Sequence, residues 1–294
     1  MNYGMPRAKH VVNATWLPSK GVPYPENLEI AVSPLSIRER RMLEGATQAE
    51  YYRTLLDGIT LNGADFRKED LIFHDVNFLD LVRRIYTFEK DKKITISNYT
   101  CPYCGSAETK ISFDFVDLEF EDFAEGIFGR NEILKNEEGE ELTRFIPGKA
   151  YTFSDGMTVY ATPMTVGDYI DMSTRYLSNF NDNRRQEKIA DLYVGLFSYL
   201  IVAIKDREFK SEKERREFIT DYIGNLYKDS DATILEQIET DMSIILKPKG
   251  RLKLYLKEQR TNTLSCKGFL RRKNLRIKLH FLDPTEYWIT ASIF

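Results

Sequence analysis

Cys101 and Cys104 are the one pair of side chains in this sequence whose spacing specifies a chemistry. Two thiolates three positions apart, with Pro102 inside the turn and Gly105 after it, form half of a zinc ribbon. Tetrahedral zinc takes four ligands, and no second CxxC is present. Cys266 is a third candidate ligand, with His74 or His280 as the fourth. A dimer giving two thiolates from each chain is another solution, and a reduced knuckle without metal is a third. A redox role is disfavoured: a reactive CxxC opens a helix, which lowers its thiol pKa, whereas this one falls between the strand-like runs 93–99 and 109–116.

No other constellation points to a reaction. The phosphate-loop, zinc-protease, hydrolase and dinucleotide patterns (GxxxxGK[ST], HExxH, GxSxG, GxGxxG) are missing from the sequence. The carboxylates cannot be paired into an acid–base couple by spacing, so the expectation is a protein that is not an enzyme. The N-terminus has no apolar run behind its charges, and the longest apolar stretch, 192–204, is too short to cross a bilayer. Three cysteines make no disulfide framework, which suits synthesis in a reducing cytosol.

Charge is unevenly distributed. Residues 247–280 hold twelve Lys and Arg against one acid, Glu258, while residues 114–141 hold eleven Asp and Glu against Arg130 and Lys135. The basic run reads either as a nucleic-acid surface or as a face that meets the acidic segment, in this chain or a neighbouring one. The second reading is preferred, because no nucleic-acid fold signature accompanies the charge.

The elements that position these groups follow from turn chemistry and periodicity. Residues 15–25 are too rich in Pro and Gly for helix or central strand, and predict an extended arm with a turn near Gly21. Trp16 and Leu17 would anchor that arm, on its own core or on a partner. Residues 28–32 alternate as a strand, and Ser36 with Glu39 has the form of a capping box opening a helix whose apolar positions run to Ile59. A second helix is predicted over 75–88, with Phe78, Leu81, Val82 and Ile85 inward. The two should pack as a hairpin joined through Asn62 and Gly63, and Asp75, after His74, is placed to cap the second.

A hairpin is predicted over 149–162 with its turn at Asp155 and Gly156. Further helices are predicted over 186–205, from Ser211 and from Asp229 or Ser230. Strands follow at 252–256 and 275–279. The junction Pro34-Leu35-Ser36-Ile37-Arg38-Glu39 reappears 129 residues later as Pro163-Met164-Thr165-Val166-Gly167-Asp168. Proline stops strand pairing, the hydroxyl caps a helix, and the acid faces the positive helix end. If the chain is duplicated, residues 28–58 and 157–187 share one fold.

In order, Leu17-Pro18-Ser19-Lys20-Gly21 with Tyr24-Pro25, the two Pro junctions, the helical pair, Cys101-Pro102-Tyr103-Cys104-Gly105 and the aromatic ending at 280–288 resemble the T-even phage baseplate hub and hub-assembly proteins. Related chains carry a second Cys pair near the end, whereas here Cys266 is followed by Phe269, a departure at the metal site. The resemblance implies a tailed-phage baseplate component, or a chaperone of hub assembly, with no catalytic residues. It implies contacts with other tail proteins, in the host cytoplasm during assembly and in the virion baseplate. A homo-oligomer is a further arrangement.

The fold expected is α+β: an N-terminal strand and helical-hairpin unit with a CxxC β-knuckle, then a β-hairpin, a helical bundle and a basic β-rich tail. The expected divisions are an arm over 1–27, an N-terminal domain over 28–145 and a mostly helical domain over 146–294. Partner-binding residues are expected at Trp16, Leu17, Lys247, Lys249, Arg251, Arg271, Arg272 and Lys273, with zinc as the candidate cofactor at Cys101, Cys104 and Cys266. The alternative function is a zinc-ribbon-like nucleic-acid binder using 247–280.

Overall fold

The computed structural model of the chain describes residues 9–43, 46–87, 93–99, 109–114, 118–120, 123–135, 141–176, 185–243, 245–248, 275–279 and 289–293. In chain order they form β1 (His10–Val12), β2 (Glu29–Val32), α1 (Ile37–Leu43), α2 (Gln48–Asp57), β3 (Ile59–Asn62) and α3 (Phe73–Thr87). Next come β4 (Lys93–Tyr99), β5 (Thr109–Asp114), β6 (Leu118–Phe120), β7 (Arg130–Lys135), β8 (Glu141–Ile146), β9 (Lys149–Thr152) and β10 (Thr158–Ala161). The remainder is α4 (Val166–Tyr176), α5 (Arg185–Leu200), β11 (Ile201–Ile204), α6 (Glu212–Gly224), α7 (Asp229–Met242), β12 (Ile245–Pro248), β13 (Leu275–Leu279) and β14 (Ile289–Ile293). Helices mix with small antiparallel sheets, an α+β composition.

The chain divides into two compact units. One comprises Met1–Arg83 with Phe123–Met242, the other Arg84–Asp122 with Ser243–Phe294. Strand pairing explains the second: β6 lies beside β12 in a sheet of order β14-β13-β12-β6. Its register sets Glu119 across from Lys247, so the acidic and basic segments meet in one chain at this pair of strands. The same unit holds the β4–β5 pair that flanks the CxxC.

In the first unit, the two Pro junctions sit in matching surroundings. β2 is the middle strand of β1-β2-β3, and β10 is the middle strand of β11-β10-β9. All neighbours are antiparallel, and the registers correspond. Ile30 faces Val12 and Leu61, while Val159, the same position 129 residues on, faces Tyr151 and Ile204. The amide leaving the middle strand bonds the end of the second helix in both, Ser33 N–H to the Gly58 carbonyl and Thr162 N–H to the Leu200 carbonyl, each at 3.0 Å. Each copy therefore runs strand, strand, helix, helix, strand, with the second helix passing straight into the third strand.

Two expectations fail at that last step, in the same way. Helical periodicity carried the first helix through Ile59 and the later one through 205, but Ile59–Asn62 and Ile201–Ile204 are strands. β-Branched residues there favour extended backbone, and the middle strand offers them an open edge. The first helix is also two helices. Thr47 starts α2 with its own capping box, accepting the Glu50 amide while Glu50 accepts the Thr47 amide. The expected hairpin of two helices thus gives way to β3 lying between α2 and α3, and α2 packs closely on α4.

Both capping boxes at the junctions form. Ser36 Oγ accepts the Glu39 amide at 3.0 Å and Glu39 Oε2 the Ser36 amide at 2.7 Å; Thr165 and Asp168 repeat this at 3.1 and 3.4 Å. Each cap acid also receives an arginine from the helix after the third strand. Arg83 Nη2 of α3 reaches Glu39 at 2.8 Å, and Arg216 Nη2 of α6 reaches Asp168 at 2.7 Å. Arg83 is wholly buried, and its remaining donors close on the Ser33 carbonyl at 2.8 Å and the Leu55 carbonyl at 3.2 Å. A planar guanidinium with five fixed donors suits three acceptors that converge from different elements. Arg216 also bonds Asp171 at 2.9 Å and lies 4.0 Å over the Tyr199 ring.

This polar anchor explains why α3 departs from its apolar pattern. Its buried side carries Val76, Leu79 and Arg83 with His74, Asp75 and Asp80, whereas Phe78, Leu81, Val82 and Ile85 are partly exposed.

Gly58 has ordinary αR backbone, so steric room alone requires glycine there: a Cβ would lie 2.0 Å from the Arg83 guanidinium carbon. Gly58→Ala should lower unfolding free energy by about 2 kcal/mol or more, and Arg83→Met by about 3–5 kcal/mol. In urea denaturation the double variant should lose clearly less than the sum of the two; simple additivity would contradict the contact.

Candidate protein-interaction site

The segment between β1 and β2 is folded rather than extended. A 3-10 turn at Ala14–Trp16 is capped by Asn13, whose side chain accepts the Thr15 amide at 3.0 Å. Successive turns follow, with the amides of Lys20, Val22 and Tyr24 donating to the carbonyls of Leu17, Ser19 and Gly21. None of these donors is a proline, so the prolines are accommodated as turn residues. Lys20 and Gly21 have φ of 56° and 77°, and a Cβ on Gly21 would lie 2.9 Å from that of Ala14. The loop therefore closes on itself.

Asp75 holds this loop to the core. It is completely buried; Oδ1 accepts the Ser19 amide at 2.9 Å and Oδ2 accepts the Tyr24 hydroxyl. The Tyr24 oxygen in turn accepts the Ile72 amide at 2.9 Å. Asp75, expected to cap α3, lies within its first turn because the helix begins at Phe73, and its carboxylate serves the loop instead. The second repeat has a counterpart: buried Asp231 of α7 accepts the amide and hydroxyl of Ser154, in the β9–β10 connection, at 2.8 and 2.9 Å.

Burial raises the Asp75 carboxyl to about 6, against the hydrogen bonds from Ser19 and Tyr24 that lower it. Burial also lowers His74 to about 3, so its ring is neutral, set edge-on to Phe73 and Phe123. His74, a candidate metal ligand by sequence, is thus a core side chain.

The clamp separates the two anchoring candidates. Leu17 is 0% exposed and packs in the chain's own core, whereas Trp16 is 66% exposed. Val11 and Val22 on the same loop and strand are exposed as well. Lys247 lies in β12. Lys249, Arg251, Arg271, Arg272, Lys273, Cys101, Cys104, Cys266 and His280 fall outside the described residues. Among the described residues, no group of three or more His, Cys, Asp or Glu is placed to hold a metal, and no helix is long and apolar enough to cross a membrane.

A cleft of about 320 Å³ between α4, α5 and α6 is lined by Arg175, Tyr199, Lys213, Arg216, Glu217 and Asp221, among others. Its cations face carboxylates, Arg175 and Arg216 at Asp171 and Lys213 at Glu217, which makes it an ion-pair network. Sequence spacing pointed to neither Arg83 nor Arg216, because both third strands read as helix and the two arginines do not share the offset of 129. No family model, curated protein or solved structure matches the chain.

The folded carboxyl of Asp75 lies above its ordinary value of 3.8. Its contribution to stability is therefore present at low pH and lost as pH rises through about 6. Between pH 5 and 7.5 that loss should be about 1 kcal/mol. His74 acts oppositely, since its ring must stay neutral when folded and acidification favours the unfolded chain. The carboxyl's share is accordingly the difference between the native chain and Asp75→Asn in urea titrations at the two pH values. Parallel pH dependences in the two proteins would contradict the assignment.

Proposed function

We propose that this chain is a non-enzymatic assembly protein of a tailed-phage baseplate, a structural hub component or a hub-assembly chaperone, acting through contacts with other tail proteins. The observation that carries the protein-contact part is Trp16: a large aromatic side chain, 66% exposed, on a loop whose neighbouring Leu17 and Ser19 are buried, with the Ser19 amide held by Asp75. A rigidly presented tryptophan loses little conformational entropy on binding and is the residue type most enriched among interface hot spots. The phage assignment rests on the ordered motifs of the sequence and on their resemblance to the baseplate hub proteins. The CxxC knuckle between β4 and β5, with zinc as its candidate ligand, and the basic tail belong to the same reading. The site of action is the host cytoplasm during assembly, and the baseplate if the protein stays in the virion.

Trp16→Ala should leave the melting temperature within about 2 °C, because an exposed side chain contributes little to the fold. It should weaken the complex with a tail protein by about 2 kcal/mol, roughly thirtyfold. The check is co-purification from infected cells followed by titration of the identified tail partner. A native chain that stays monomeric and binds no tail protein would overturn the proposal.

A further inference from the structure

We infer that Asn62 is a self-modification site: the Gly63 amide nitrogen displaces the side-chain amide of Asn62 and leaves aspartate and isoaspartate at the free edge of the first sheet. Such a ring closure needs an asparagine side chain open to solvent. It also needs a following residue with no side chain in the way, and a following amide not committed to a hydrogen bond. The end of β3 supplies all three.

Asn62 is the last residue of β3 and is exposed. Its Nδ2 donates to Glu29 Oε1 at 3.4 Å, a long bond between exposed groups. Gly63 has φ of 88°, and a Cβ there would run into the Asn27 carbonyl oxygen, so the turn requires glycine and leaves its nitrogen unshielded. The ladder decides which way that nitrogen faces. Ser33 N–H donates to the Gly58 carbonyl, so 33 and 58 form a bonded pair, and by alternation so do 31 with 60 and 29 with 62. Asn62 therefore turns its own amide and carbonyl toward β2. The Gly63 amide faces the other way, where β3 is the edge of the sheet β1-β2-β3. Among the described residues no carbonyl accepts it.

Two other asparagines show the contrast. Asn13 is followed by Ala14, and its Oδ1 is held by the Thr15 amide and hydroxyl at 3.0 and 2.9 Å. Asn225 is exposed, but Nδ2 donates to the Asp221 carbonyl at 2.6 Å and the next amide, of Leu226, to the Ile223 carbonyl at 3.2 Å.

In the reaction, hydroxide removes the Gly63 amide proton and the nitrogen attacks Asn62 Cγ. The N–Cγ bond forms, the Cγ–Nδ2 bond breaks, and ammonia leaves with a proton taken from water. Water then opens the five-membered imide. Cleavage at Cγ gives aspartate on the original backbone; cleavage at the α-carbonyl gives isoaspartate, with an extra methylene in the main chain. Closure opens the last bond of the ladder, Glu29 amide to Asn62 carbonyl, and terminal bonds fray most readily. Either product sets a carboxylate across from Glu29, and like charges directly opposite weaken a strand pair.

The test incubates the full chain at mildly alkaline pH, folded and in urea, and follows it by tryptic mass mapping. Cleavage after Arg53 and Arg67 isolates residues 54–67, with Asn62 as the single asparagine. Aspartate and isoaspartate should both accumulate at position 62 of the folded chain, about tenfold or more faster than at Asn13 or Asn225. Asn62→Asp should lower the melting temperature by about 2 °C, and adding Glu29→Gln should restore it. A folded chain that keeps its amide while the chain in urea loses it would overturn the inference. So would aspartate without isoaspartate, the mark of direct hydrolysis, or conversion of Asn13 or Asn225 at the same rate.

Discussion

The first unit depends on a buried arginine reaching a helix cap. Glu39 would be an ordinary capping acid if it only bonded the Ser36 amide. Because its other oxygen receives Arg83, the start of α1, the exit of β2, the last turn of α2 and the body of α3 are tied at one guanidinium. Such a group is stable in the interior only when its donors are satisfied, so the elements around it have little freedom to move independently. Arg216 and Asp168 repeat the arrangement nearer to solvent, with Tyr199, Asp171 and Glu212 supplying further contacts.

The two arrangements differ where they meet other surfaces. In the second repeat, the helix after the junction has Gly167 and Tyr169 and lies closely on the first repeat. In the first repeat, the corresponding positions are Arg38 and Arg40. The clamp at Asp75 does comparable work on the β1–β2 loop, fixing Leu17 inward and Trp16 outward.

Much of this was legible in the residues. Pro, hydroxyl and acid in fixed order identified both junctions, and the capping bonds form where that order places them. The hairpin at Asp155 and Gly156 and the strands at 93–99 and 275–279 also follow from alternation and turn residues. What could not be read locally were the partners of each element. Ile59 and Ile201 continue a helical apolar stripe, and only the free edge of a strand distant in sequence makes them extended. Asp75 read as a helix cap and Arg83 was not singled out, since burial of a charge depends on acceptors brought from residues 33, 39 and 55, or donors from 19 and 24. Prolines in 18–25 suggested an extended arm, but turns that spare proline nitrogens are equally compatible with them. The β7–β8 pair was hidden by its glutamates, which have low strand propensity.

The most direct test of the repeated arginine-to-cap closure is a pair of double-mutant cycles in urea, one joining Arg83→Met with Glu39→Gln and one joining Arg216→Met with Asp168→Asn. Coupling energies of about 1 kcal/mol or more are expected in both, larger for the fully buried Arg83 pair. Coupling near zero at Arg83 and Glu39 would contradict the account, because the first repeat would then be held together by something other than the closure that defines it.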